Sequence, residues 1–188
     1  MSGAVKGNLR QSNQTRLSPR EKEAARGAPN LLGVRHVGLL AKEPDSLAAF
    51  YRDVMGMTIV RQTSPNSALG AIAFLARHPE DEDHDIVLVS NAAVAHTAFR
   101  VASLGDLLAF YRRIKDKGLP IKYSLNHVVE LAFYFEDPEG HMIEIYWATG
   151  VSPVADVHTE PIDLDVPEEQ LRREAERLAA RYGARPSH

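Results

Sequence analysis

The chain has no cysteine among its 188 residues. Disulfides, zinc–thiolate sites and thiol nucleophiles are therefore excluded. No apolar run approaches the roughly 20 residues of a membrane-spanning helix. The N-terminus, Met1-Ser2-Gly3-Ala4-Val5-Lys6, lacks the apolar stretch of a signal peptide, so a cytoplasmic location is the expectation. An excess of positive charge is missing too. A net charge of -3 gives no electrostatic reason for nucleic acid or an anionic membrane as partner. What remains, 44% hydrophobic and 25% charged residues, suits a globular chain long enough for one or two domains with a real core.

Residues 1–30 are polar and read as a flexible N-terminal arm. Within it, Ser18-Pro19-Arg20-Glu21 has the spacing of a helix cap. From Leu31 the pattern changes. Residues 33–41 read as a strand, and Pro44-Asp45 breaks it, with Asp45 available as a helix cap. Leu47, Phe50, Tyr51 and Val54 then follow at helical spacing, and Gly56 ends the helix. Strands are expected from Thr58, over Ala71–Ala76 and over Asp85–Val89.

The same order then recurs 60 residues later. His36 matches His96, Phe50-Tyr51-Arg52 matches Phe110-Tyr111-Arg112, and Val54 matches Ile114. The second copy adds a helix ending near Gly118, a strand from Pro120, and a hairpin of Val129–Phe135 and Met142–Trp147 across Asp137-Pro138-Glu139-Gly140. Each half therefore reads as strand–helix–strand–strand–strand. One half has too little core to stand alone, so the two should pack together. The expected organisation is the arm, a two-module domain over 31–150 (modules about 33–91 and 93–150), then a connector and C-terminal helix over 151–188. The helix, from about Pro167 to Tyr182, is free to close over the core or to pair with another subunit. A homodimer is compatible with the arm and this helix.

A histidine at one fixed point of a repeat suggests that both imidazoles meet at a shared centre. Taken alone, each reads as a core histidine. Glu144, in Met142-Ile143-Glu144-Ile145-Tyr146-Trp147, is a carboxylate in an apolar strand. Burying it unpaired is costly, so it reads either as an edge-strand residue facing solvent or as a ligand. Together, His36, His96 and Glu144 compose a 2-His-1-carboxylate metal set.

With these residues the chain resembles the vicinal oxygen chelate superfamily of glyoxalases, bleomycin- and fosfomycin-resistance proteins and extradiol dioxygenases. The resemblance covers about residues 33–150. It implies an α+β fold, paired βαβββ modules forming a cupped mixed sheet around a metal. It also implies ligands from the first strand of each module and the last strand of the second, the places of His36, His96 and Glu144. Aligning the two hairpins sets Val87 against Glu144. Glyoxalase I type members carry a fourth, carboxylate ligand about there, so Val87 favours a three-ligand site with more open positions.

The segment from His127 to Glu144, with Tyr134 and the Asp137-Pro138-Glu139-Gly140 turn inside it, resembles the signature of extradiol dioxygenases, closest to the single-domain ones; Leu125 is one departure from it. On this resemblance His127 and Tyr134 are catalytic groups. His84 is a third candidate. Its strand parity is opposite to that of Val87, and its place at a strand start leaves its direction open. His141 reads as solvated, and His78, His158 and His188 are assigned no role.

The implied activity is that of an Fe(II)-dependent extradiol-type, non-heme iron dioxygenase acting on a catechol-like aromatic with O2, in aromatic compound catabolism. Two alternatives stay open. One is a glyoxalase-type lyase or isomerase using Mn2+, Ni2+ or Zn2+. The other is a non-enzymatic protein that sequesters a small planar molecule.

Overall fold

The computed structural model describes residues 28–79, 83–152 and 158–186, together with residue 18. Most of the N-terminal arm, Pro19 to Glu21 of the expected cap, and His188 lie outside the described residues. The elements are β1 (Leu31–Leu40), α1 (Pro44–Met55), β2 (Thr58–Gln62), β3 (Ile72–Ala76), β4 (Ile86–Val89), β5 (Thr97–Val101), α2 (Leu104–Asp116), β6 (Ile121–Asn126), β7 (Glu130–Glu136), β8 (Met142–Ala148), β9 (Glu160–Pro161) and α3 (Glu168–Arg181). None of these helices is long and apolar enough to cross a membrane.

The strands form one mixed sheet in the order β2-β3-β4-β1-β5-β8-β7-β6-β9. Within the first half β1 runs parallel to β4, and within the second β5 runs parallel to β8. The halves join through the antiparallel pair β1–β5. Reading outward from that seam gives β1-β4-β3-β2 on one side and β5-β8-β7-β6 on the other. The α+β architecture of paired βαβββ modules is thus the observed one.

Strand alternation sorts side chains onto two faces. In the first module Ala73, Leu75 and Leu88 pack under α1 with Ala48 and Met57. Their neighbours Ile72, Phe74, Val87 and Val89 face the opposite way. In the second module Leu131, Phe133, Phe135 and Ile145 pack against Leu104, Leu107 and Tyr111 of α2. Ala132, Tyr134 and Tyr146 face the opposite way. Strands β3 and β7 are covered on both faces, which is why their sequences read as nearly unbroken apolar runs.

Two local expectations differ. Asp45 does not cap α1. It lies in the first turn, where its charge favours the helix N-terminus, and it accepts a hydrogen bond from Gln62 Nε2 at 2.6 Å. The two-residue strand β9 was not apparent in the sequence because two residues carry no period. It pairs with the edge of β6 through Leu125–Pro161 and Asn126–Glu160.

Helix α3 closes over the second module only. Leu171 and Ala175 join the core beside α2. Leu178 and Ala179 cover Val128, and Arg172 lies over the Trp147 ring at 5.3 Å. Among the described residues the first module has no such cover: Phe50 is 51% exposed, whereas its repeat partner Phe110 packs against the core. Burying Leu178 fully contributes several kcal/mol by lost cavity and transfer terms. Leu178→Ala should therefore lower stability by about 2–5 kcal/mol in urea unfolding.

Candidate metal centre

The register lines up one row of side chains across the sheet. Arg61 pairs with Phe74, Phe74 with Val87, and Val87 with Gly38. In the second module Tyr123 pairs with Tyr134, Tyr134 with Glu144, and Glu144 with Ala98. Each histidine sits opposite a small residue of the other module: His36 faces Ala98, and His96 faces Gly38. The row is two-fold symmetric in position and unlike in chemistry. Val87 occupies the place in the first module that Glu144 occupies in the second.

The small residues are required. A Cβ at Gly38 would stand 2.9 Å from His96 Nδ1 and 3.0 Å from its backbone nitrogen. The imidazole of His96 lies directly over this glycine. Its Nδ1 is 2.8 Å from the Val94 carbonyl, an acceptor only, so Nδ1 carries a proton and, in the neutral ring, Nε2 is bare.

Three donor atoms converge. His36 Nε2 is 3.0 Å from His96 Nε2 and 3.2 Å from Glu144 Oε2, and His96 Nε2 is 3.0 Å from the same oxygen. His36 is 4% exposed and Glu144 1%. Glu144 is therefore no edge-strand carboxylate facing solvent; β8 lies inside the sheet. Its other oxygen, Oε1, is buried with no hydrogen-bond partner among the described residues. Burial alone would raise the Glu144 carboxyl, yet the two imidazoles outweigh burial and bring it well below the ordinary range. At His96 burial opposes charge, and the Glu144 carboxylate outweighs it and raises the imidazole. The centre attracts positive charge. Donor atoms about 3 Å apart suit a cation with bonds of about 2.1 Å at right angles. His36, His96 and Glu144 are thus a group that could hold a metal ion.

The remaining sequence candidates surround this point. His84 precedes β4 rather than belonging to it, so strand parity does not govern it. Its ring lies 4.2 Å from that of His36 and lines the cavity. His127 Nε2 is 3.1 Å from the Tyr134 hydroxyl, and its Nδ1 is 2.9 Å from Thr159 Oγ1. Burial lowers His127 below its ordinary value and raises Tyr134 well above its own. His127 is presented by a tight turn in which Val128 adopts φ 74°, an uncommon conformation for a β-branched residue. Asn126 Oδ1 accepts from Val128 N–H at 2.9 Å, and Thr149 Oγ1 donates to the Val128 carbonyl at 2.8 Å. The αL backbone is thereby over-determined by its surroundings. His141 is exposed beside Asp137.

A cavity of about 480 Å³ opens over the three donors. Its first-module wall carries the apolar Leu69, Ile72, Phe74 and Val87 beside the polar Arg61, Asp83 and His84. Its second-module wall carries Tyr123, His127, Glu130 and Tyr134, with Val94, Leu125 and Val129 between them. His158, assigned no role from sequence, also lines it and stacks on Tyr182 at 3.5 Å.

Sequence reasoning missed Glu130. This carboxyl is 8% exposed and close enough to His127 and Glu144 to form a second group of clustered donors. The signal was present: Val129-Glu130-Leu131 is a carboxylate in an apolar strand, as Glu144 is, at the same parity as Tyr134. Asp83 and Arg61 were also missed. Asp83 accepts from Arg61 at 2.5 and 2.7 Å and lies 2.6 Å from His84 Nδ1.

Residues 33–145, more than half of the chain, match the model of the Glyoxalase/Bleomycin resistance protein/Dioxygenase superfamily. The chain is 28% identical over 122 residues to biphenyl-2,3-diol 1,2-dioxygenase 3 of Rhodococcus globerulus, covering 58% of this chain and 60% of that protein. It therefore spans less than two thirds of that relative's length. It is 25% identical over 123 residues to the metallothiol transferase FosB of Shouchella clausii (strain KSM-K16), covering 62% of this chain and 81% of the relative. Among solved structures, an extradiol ring-cleaving dioxygenase from B. fuscum superposes with a TM-score of 0.53 at 20% identity. That superposition covers 79% of this chain and 37% of the other.

Two outcomes follow for the site. Gly38→Val should push the His96 ring off its seat, lowering metal affinity and costing about 1–3 kcal/mol of stability, read by metal titration and urea unfolding. Glu130 is raised well above 4.5 by burial, with the Glu144 charge adding to it. The stability contributed by a group raised in this way is present below its ordinary value and lost as pH rises through the raised one. From mildly acidic to mildly alkaline pH, metal-free protein should therefore lose stability relative to Glu130→Gln, whose side chain does not titrate. Urea midpoints at the two pH values measure it.

Proposed function

The chain belongs to the Glyoxalase/Bleomycin resistance protein/Dioxygenase superfamily, and from that premise we propose that it is an Fe(II)-dependent extradiol-type dioxygenase that opens a catechol-like ring. The observation that carries this reading is a three-donor cluster beside an imidazole–phenol pair. His36, His96 and Glu144 converge on one point, and Val87 leaves the fourth position without a donor. His127 and Tyr134 stand together in the wall of the same cavity.

In the proposed reaction His36, His96 and Glu144 hold the metal. When bound, Fe(II) supplies adjacent open positions where an ortho-diol and O2 meet and exchange electrons. The apolar wall of Ile72, Phe74 and Val87 receives the ring. His84, which burial pushes down to about 4, is neutral at pH 7 and accepts a proton from a diol hydroxyl. Tyr134, kept protonated by its raised pKa, donates a hydrogen bond to the developing oxyanion. His127, held from the other side by Thr159, exchanges protons with Tyr134. Both atoms of O2 end in the ring-opened product, a muconic semialdehyde type compound.

The relative that transfers a thiol keeps a second reading open, a metal-dependent group transfer or glyoxalase-type isomerisation with Mn2+, Ni2+ or Zn2+. The lining argues against an anionic substrate. The one Lys or Arg among the described cavity residues is Arg61, and both ends of its guanidinium are paired with Asp83.

Protein loaded with Fe(II) under anaerobic conditions should take up O2 with members of a catechol panel and form a yellow ring-fission product. Tyr134→Phe should lower kcat by about 10²–10³-fold with little change in KM, as loss of one oxyanion donor does. Absence of O2 uptake with every member, with activity toward thiol or hemithioacetal substrates instead, would move the assignment to the second reading.

A further inference from the structure

We infer that Asp83, itself clamped by Arg61, is a positioning residue that fixes the proton of His84 on Nδ1 and leaves Nε2 as a bare acceptor in the cavity wall. What that acceptor does rests on the proposed function; where the proton sits rests on geometry alone.

Asp83 Oδ2 lies 2.6 Å from His84 Nδ1. Arg61 donates through both terminal nitrogens, to Oδ1 at 2.7 Å and to Oδ2 at 2.5 Å. The Arg61 and Asp83 side chains are only 12% and 14% exposed, so the pair is little screened by solvent. Arg61 is in turn seated on the Phe74 ring at 4.7 Å, and Phe74 meets the His84 ring edge-on at 5.2 Å. Burial opposes charge on Asp83, but His84 and Arg61 outweigh it and hold the carboxyl well below its ordinary value. An ionised carboxylate only accepts, so the neutral imidazole facing it must carry its proton on the facing nitrogen.

His127 differs. Its Nδ1 partner is the Thr159 hydroxyl, which both donates and accepts, so either tautomer is satisfied there. The site therefore holds one imidazole with a fixed acceptor and one able to exchange.

In the proposed reaction the substrate O–H bond breaks. Its electron pair stays on oxygen and its proton passes to His84 Nε2. The Nδ1 proton does not move, and the new imidazolium charge faces Asp83. The same Nε2 proton later returns to an oxyanion of the opening ring, so no further co-reactant is needed.

Asp83→Ala removes the carboxylate, and Asp83→Asn is its control, because an amide oxygen in the place of Oδ2 still accepts from both Arg61 and His84 Nδ1. Long-range 1H–15N spectra of zinc-loaded, 15N-labelled protein read this without turnover, with His84→Gln assigning the signal. Unsubstituted protein should show Nδ1–H at His84, Asp83→Ala should lose it in favour of Nε2–H, and Asp83→Asn should keep it. The kcat of Asp83→Ala should fall by about 10²–10⁴-fold with KM little changed, as when the aspartate behind a catalytic histidine no longer fixes its tautomer, and Asp83→Asn should recover part of the loss. Nε2–H in the unsubstituted protein overturns the inference, as does an Asp83→Ala variant that keeps Nδ1–H. If the unsubstituted enzyme turns over no diol, the reaction reading falls, and the spectra still decide the role of Asp83.

Discussion

Three lone pairs converge at the centre of the sheet with too few protons between them. Val94 keeps a His96 proton on Nδ1, so its Nε2 is bare whenever the ring is neutral. His36 Nε2 offers at most one proton, and Glu144 is held ionised. With both rings neutral, three contacts near 3 Å share a single proton, and one oxygen of Glu144 has no hydrogen-bond partner among the described residues. A buried carboxylate in that condition costs several kcal/mol unless a cation completes it. The rest of the molecule serves to hold these groups together without one: Gly38 gives the His96 ring room, Ala98 does the same opposite His36, and both modules bury their strands under helices.

The repeat builds the centre and its divergence gives the two sides different work. One row of the sheet reads Arg61, Phe74, Val87, Gly38 in the first module and Tyr123, Tyr134, Glu144, Ala98 in the second. The second module keeps the carboxylate and adds hydroxyls. The first has apolar groups there, with a salt-bridged arginine behind them. The asymmetry continues outside the sheet, where α3 covers α2 and the Val128 turn but nothing among the described residues covers the same stripe of α1.

The modules and the three donors were legible because each left a period or a rarity in the chain. The 60-residue echo placed His36 against His96, and an acidic residue in an apolar strand marked Glu144. The hairpin alignment already set Val87 against Glu144, and the sheet register gives the same pairing. What stayed hidden depends on contacts between segments distant in sequence. Glu130 carried the same rarity as Glu144, but it fell inside a motif already accounted for by His127 and Tyr134. Arg61 and Asp83 are 22 residues apart and meet only because β2 and the turn before β4 flank the same strand. His84 was ambiguous because alternation applies to strand residues, and it stands two residues before its strand begins. Thr159 and His158 reach the cavity through a strand of two residues, too short to show a pattern.

The claim on which the rest stands is that His36, His96 and Glu144 bind one divalent ion. Anaerobic calorimetric titration of chelator-stripped protein with Fe(II) tests it directly, with Glu144→Ala as the comparison. Saturation at one ion per chain, lost when Glu144 is replaced, is the expected result. No saturable binding, or binding undiminished without Glu144, would contradict it.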